Sequence, residues 1–189
     1  MGRKKILLIT VISIVLSVLV TGCSSGNSSG TTDQTSGSKE LVYEFYDKVQ
    51  LNQTKDQVDT ELGVTPTESE QMEGCYGYVN QDSGFGVDVV YDENGLAYSK
   101  TLFYPDREDI AFMTTEKVTQ EQADSIGNGL TYDEAVNMLG CEGTETSATE
   151  IAFDDNKVSY IRAWVNQDGS MLQIVFLTDG TSSGAMFFD

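Results

Sequence analysis

Histidine is absent from this 189-residue chain. That removes the Ser-His-Asp and Cys-His nucleophile pairs, the histidine general base and the histidine metal ligand. Cysteine is scarce, and three residues cannot supply a four-thiolate zinc site within one chain. Positive charge is scarce too. Eleven basic side chains face 30 acidic ones, a net of −19, whereas nucleic acid needs Lys and Arg to replace its counterions. These shortages point away from a histidine-dependent hydrolase, a zinc protein and a nucleic-acid binder.

What is present begins with an address. Arg3, Lys4 and Lys5 precede a run, residues 6–20, that is apolar except for Thr10, Ser13 and Ser17. Such a run is short for a bilayer span and suits a signal h-region. It ends in Val20-Thr21-Gly22-Cys23, which resembles the bacterial lipobox. The resemblance implies a signal peptide over residues 1–22 and an acylated, palmitate-bearing Cys23 as the new N-terminus. Residues 24–38 contain only Ser, Gly, Thr, Asn, Asp and Gln. That composition cannot bury a core and predicts a flexible tether with a reach of roughly 20 Å. Losing the signal takes away three of the 11 basic residues and none of the 30 acidic ones, so the net falls from −19 to −22. Anionic headgroups repel that charge. The expectation is an extracytoplasmic lipoprotein held at the bacterial cell membrane by its lipid anchor alone.

The remaining chain repeats itself. Thr54-Lys55-Asp56-Gln57 corresponds to Thr131-Tyr132-Asp133-Glu134, and Leu62-Gly63 to Leu139-Gly140. Val79-Asn80-Gln81-Asp82 returns as Val165-Asn166-Gln167-Asp168, and Asn94-Gly95 as Asp179-Gly180. Thr54 with Gln57 and Thr131 with Glu134 predict capping boxes that open helices closed by Gly63 and Gly140. A preceding helix is expected in each copy. The first carries Leu41, Val42, Phe45, Tyr46 and Val49; the second is capped by Thr119 and Gln122 and carries Ala123 and Ile126. Period-two alternation puts Phe85, Val87, Val89 and Tyr91 on one side of a strand and Gly86, Asp88 and Asp92 on the other. Asn94-Gly95 and Asp179-Gly180 predict two-residue hairpins. The fold class is thus α+β: two tandem helix-helix-antiparallel-sheet repeats, residues 39–105 and 106–189, following a lipidated cysteine and tether over 23–38. A charged joint, residues 105–115, separates the copies. Each is marginal in size alone, so the two are expected to pack together.

Alternation on the second strands sets Gly77, Val79, Ala163 and Val165 on one face, and Tyr76, Tyr78, Tyr160, Arg162 and Trp164 on the other. The small aliphatic set suits the helix-covered face, which leaves the aromatic and arginine set on an open face. Those residue types are enriched at protein interfaces. The other reading is that they cover the sheet or pack at the joint between copies.

Gly127 to Glu134 followed by Leu139-Gly140, then the meander ending Phe176-Leu177-Thr178-Asp179-Gly180, resembles the β-lactamase inhibitory protein family and its lipoprotein relatives. The resemblance implies a sheet surface that clamps a class A β-lactamase and a first-repeat turn that presents an aspartate, here Asp82. A second-repeat turn supplies a further plug, here the turn bearing Asp168, which has no aromatic. It also implies a disulfide within each repeat. This chain keeps only one partner of each, Cys75 and Cys141, so either they bond across the repeats or both are free thiols.

The function expected is a non-catalytic module that binds a protein partner, a β-lactamase or related cell-wall enzyme, with no cofactor. Alternatives are a calcium-binding or structural envelope lipoprotein and, more remotely, an acidic hydrolase. Asp92-Glu93-Asn94-Gly95 and Asp154-Asp155-Asn156 offer hard oxygens, but neither has EF-hand spacing. Glu108-Asp109 and Asp154-Asp155 are the carboxylate pairs a hydrolase would draw on.

Overall fold

The computed structural model describes residues 38–189. The expected signal segment, Cys23 and the expected tether up to residue 37 lie outside these residues. No helix among the described residues is long and apolar enough to cross a membrane.

Helix α1 (Lys39–Lys48) opens where Ser38 Oγ accepts the Leu41 N–H, and it buries Val42, Tyr43, Phe45 and Tyr46. Helix α2 (Lys55–Leu62) opens on the Thr54–Gln57 capping box and closes at Gly63, which is left-handed at φ +66°. Such a cap is worth about 1 kcal/mol. Strands β1 (Thr67–Glu68), β2 (Cys75–Val79), β3 (Gly86–Tyr91) and β4 (Ala97–Phe103) follow, then a 3₁₀ segment (Arg107–Met113). Helix α3 (Gln120–Ser125), strand β5 (Asn128–Thr131) and helix α4 (Tyr132–Leu139) come next. Both helices carry the expected capping boxes, on Thr119 and Thr131. Strands β6 (Thr144–Ile151), β7 (Lys157–Val165), β8 (Met171–Phe176) and β9 (Thr181–Phe188) complete the chain. All nine strands form one sheet in the order β1-β2-β3-β4-β6-β7-β8-β9-β5, with every pairing antiparallel. The architecture is α+β, a large antiparallel sheet with few helices.

Register decides which side chains share a face. Tyr76 and Tyr78 lie opposite Val89 and Val87, which lie opposite Lys100 and Leu102. Lys100 faces Ala148, and Ala148 faces Tyr160. Arg162 and Trp164 alternate onto the same side, opposite Ile174 and Leu172. This is the side the helices cover. Val42, Phe45, Val58 and Leu62 cluster with Tyr78, Val87, Val89 and Leu102. Ala123, Ala135 and Leu139 cluster with Trp164, Leu172, Ile174 and Phe176.

The expectation for the faces is therefore reversed. Tyr78 and Trp164 have no exposed surface; the helices cover the aromatic set, and Gly77, Val79, Ala163 and Val165 lie on the opposite face. The reason is area. Large aromatic rings gain most from burial, provided their polar atoms find partners there. Leu41, expected in the apolar stripe of α1, is 40% exposed, and Tyr43 is buried in its place.

The charged segment over residues 105–115 also packs, through the buried Ile110 and Ala111. The β4–β6 pairing spans only Ser99–Thr101 against Ser147–Thr149, and beyond it the 3₁₀ segment packs Ile110 and Ala111 into the first cluster with Ala163, Val165 and Met171. The hairpins are longer than the two residues expected. Asp92 N–H donates to Leu96 O and Gly95 N–H to Asp92 O, both at 2.9 Å, and the turn over residues 177–181 is built alike. Asp92 Oδ1 accepts from the Asn94 and Leu96 N–H groups, so the aspartate sets a three-residue loop whose glycine takes the left-handed position.

Candidate functional site

Strands β2, β4 and β7 run the same way because each neighbouring pair is antiparallel. The loops that follow them share one end of the sheet: residues 80–85, the 3₁₀ segment and residues 166–170. Asp82 and Asp168 are exposed in two of these loops.

Each loop is held by its asparagine. Asn80 Oδ1 accepts the Asp82 N–H at 3.0 Å, and Asn80 Nδ2 donates to Glu44 of α1 at 2.9 Å. The buried Asn166 accepts the Val118 N–H at 2.9 Å and donates to Val118 O and Ser170 Oγ, both at 2.8 Å. Sequence reasoning singled out the repeated Val-Asn-Gln-Asp for its aspartates and missed that the asparagines anchor the turns; their recurrence at matching places was the available signal. Residues 105–108 run between the loops. A Cβ on Gly84 would lie 3.5 Å from Pro105, and one on Gly169 would lie 2.5 Å from Glu108 Oε1.

The two aspartates differ. Asp168 accepts from Ser170 Oγ at 2.6 Å and Ser170 N–H at 3.2 Å, and pairs with Lys117 at 3.3 Å. The Ser170 hydroxyl first, then its N–H, then Lys117 bring its carboxyl down to about 2. Among the described residues no bond reaches the Asp82 carboxylate; only its backbone N–H is used, by Asn80.

The aromatic set expected here sits on the covered side. Trp164 Nε1 donates to Cys141 O at 2.9 Å. Tyr78 Oη donates to Asp59 at 2.8 Å and meets Tyr91 Oη at 3.2 Å. Tyr76 is half-buried beneath Lys55, 4.7 Å above its ring. Arg162 pairs with Glu145 at 2.9 Å and stacks on Tyr132 at 4.3 Å. It lines a cleft of about 460 Å³ with Tyr43, Tyr46 and Phe112. Glu145 is fully engaged there: Tyr43 Oη donates to its carbonyl and Tyr46 Oη to its carboxylate. Tyr160, 37% exposed, keeps part of its surface.

The open face carries small polar and aliphatic groups instead. Ser99 bonds Thr149 at 2.7 Å and Thr101 bonds Ser147 at 3.2 Å across the β4–β6 seam. Val79, Asp88, Val90 and Phe103 lie beside them on β2, β3 and β4.

One member of each acidic pair holds local structure. Asp109 accepts the Asp106 N–H at 3.0 Å and opens the 3₁₀ segment. Asp154 accepts from Lys157 and Thr178, tying two hairpin tips together. Among the described residues no group of three or more His, Cys, Asp or Glu is placed to hold a metal. Cys75 and Cys141 are both buried free thiols, so no bridge joins them. Burial, with Asp88 second, pushes the Cys75 thiol up to about 11.

A family model described as Beta-lactamase inhibitor (BLIP) matches residues 42–162, from α1 into β7. The chain belongs to the BLIP family. The BLIP match takes in the Asp82 loop, the 3₁₀ segment and the β4–β6 seam, and it stops before Trp164 and the Asp168 loop. No curated protein matches the chain.

Proposed function

We propose that the protein is a non-catalytic, inhibitor-like binding module built of two tandem αα-β repeats. It is anchored through an acylated Cys23 outside the cytoplasmic membrane and docks a protein partner, a β-lactamase or related cell-wall enzyme, on its open sheet face. The BLIP family match over residues 42–162 carries this reading. Asp82 supports it as an exposed carboxylate on a loop pinned to α1, pre-organised for contact. Asp168 stands at the same end of the sheet. Tyr78 and Trp164, being fully buried, drop out of the contact set, and Tyr76 and Arg162 serve packing beside them.

The test is nitrocefin hydrolysis by a purified class A β-lactamase with the full chain added in detergent. Hydrolysis should slow, and Asp82→Ala should weaken inhibition about tenfold or more, as loss of a central contact does. Unchanged hydrolysis at every concentration of the protein would remove the inhibitor reading.

A further inference from the structure

Asp88 is a carboxylate without a partner. It sits mid-strand in β3, opposite Gly77 of β2 and Thr101 of β4. It is half-buried, and among the described residues neither a hydrogen bond nor any of the ion pairs involves its side chain. Burial alone pushes its carboxyl up to about 6. An unpaired charge in such a place is costly unless something arrives to meet it.

The surroundings are shaped for that arrival. Val79, Gly86 and Phe103 form one row on the open face, and Gly77, Asp88 and Thr101 form the next. Gly86, between Val79 and Phe103, is buried against the β2 backbone, where a Cβ would lie 2.1 Å from Tyr78 O; Gly77, lacking a side chain, leaves the room in which the Asp88 carboxylate lies. A Cβ at Gly77 would intrude to 2.9 Å from Asp88 Oδ1. Of the groups facing Asp88, β2 offers the titratable Cys75, a neutral thiol at physiological pH. Beside it on β4 stand Ser99, Thr101 and Phe103, and on β3 itself Gly86 and Val90, none of which carries charge. The corresponding pair in the second half is Gln173 opposite Ala163, which is neutral and has no glycine beside it.

We propose that Asp88 receives a cationic side chain, lysine or arginine, of the protein partner; this rests on the docking role of the open face proposed above. The partner's apolar stem lies along Val79 and Phe103 while its charged head meets the carboxylate. A partner presenting an acid or a plain apolar group there would leave Asp88 desolvated and unpaired, so the carboxylate selects as well as attracts. Binding weakens as the pH falls and Asp88 takes a proton.

The experiment needs no enzyme. N-acetyl-arginine methylamide, N-acetyl-lysine methylamide and the neutral N-acetyl-citrulline methylamide are titrated into the full chain in detergent. The Asp88 carboxyl carbon and the Gly77 and Thr101 amides are followed by NMR. A cationic probe should shift them saturably, and the two cationic arms separate a guanidinium site from an ammonium site. Asp88→Asn should weaken that binding about tenfold or more. Gly77→Ala, whose Cβ would crowd Asp88 Oδ1 while the carboxylate is kept, should weaken it as well. Equal shifts from the citrulline probe, shifts that survive in Asp88→Asn, or no saturable shift would overturn the proposal. Because no β-lactamase is present, that failure is distinct from a failure to slow nitrocefin hydrolysis.

Discussion

Tyr78 and Trp164 stand at matching places, each on the strand that leads into a Val-Asn-Gln-Asp turn, and each is wholly buried under its own helices. They are held by different means. Tyr78 reaches Asp59 of α2, which Lys55 grips at 2.7 Å, so a polar chain fastens sheet to helix. Burial, then hydrogen bonds to Tyr91 and Asp59, push its hydroxyl far above the usual tyrosine range. Trp164 instead fills volume. Its ring lies where a Cβ on Gly143 would come within 2.6 Å, and its one N–H goes to a backbone carbonyl. One half is fastened by polar geometry and the other by the fit of its largest ring.

The fit can be broken outright. Trp164→Ala should cost about 3–5 kcal/mol, because it empties the centre of the smaller cluster, where Gly143 offers nothing to collapse inward. Chemical denaturation of the full chain measures it. A loss under about 1 kcal/mol would mean that the second half does not depend on this ring.

The second effect has the opposite sign and contrasts the open-face positions of the two halves. Asp88 is charged at neutral pH against the preference of its site, whereas Gln173 carries no charge. The folded-state value of about 6 lies above the ordinary 3.8, so the protonated form stabilises the fold below the unfolded value. That stability is lost as the pH rises through about 6. Asp88→Asn should therefore stabilise the protein by about 2 kcal/mol at pH 7 and by almost nothing near pH 3. Melting temperatures of both chains across that range show it. A variant less stable at pH 7 would mean that Asp88 has a structural partner. Together with the cation titration, the expected result makes Asp88 a residue that costs stability and serves contact.

These contrasts also mark what the sequence could show. Ser38, Thr54, Thr119 and Thr131 act through local spacing, so helix starts were legible apart from Ser38, which lay inside the expected tether. Alternation correctly grouped Tyr76 with Tyr78 and Arg162 with Trp164. It could not say which group the helices cover, because that depends on register across a turn. The loop over residues 80–85 sets Tyr78 opposite Val87, and Val87 was already placed opposite in facing to Asp88. Had the loop length been known, the polar Asp88 would have identified the open face and put Tyr78 in the core. The 3₁₀ segment was hidden by its charges, Arg107, Glu108 and Asp109, which flank the two residues, Ile110 and Ala111, that do the packing.

The smallest effect separates the two turns at the rim. Asp168 is occupied by Ser170 and Lys117, while the Asp82 carboxylate has no bond among the described residues. For a group with a depressed value, the stabilising contribution is present above the ordinary 3.8 and is lost as the pH falls toward about 2. Ser170→Ala removes the hydroxyl, the largest cause, and leaves Lys117 in place. The Asp168 carboxyl should then titrate closer to the ordinary aspartate range, read by NMR, with the fold unchanged. An unmoved titration would assign the depression to the backbone N–H of residue 170 and to Lys117 instead. If it moves, Ser170 is what withholds Asp168 from a partner, and the two matching turns have separate tasks: Asp82 is ready for contact, and Asp168 is committed to closing its own loop.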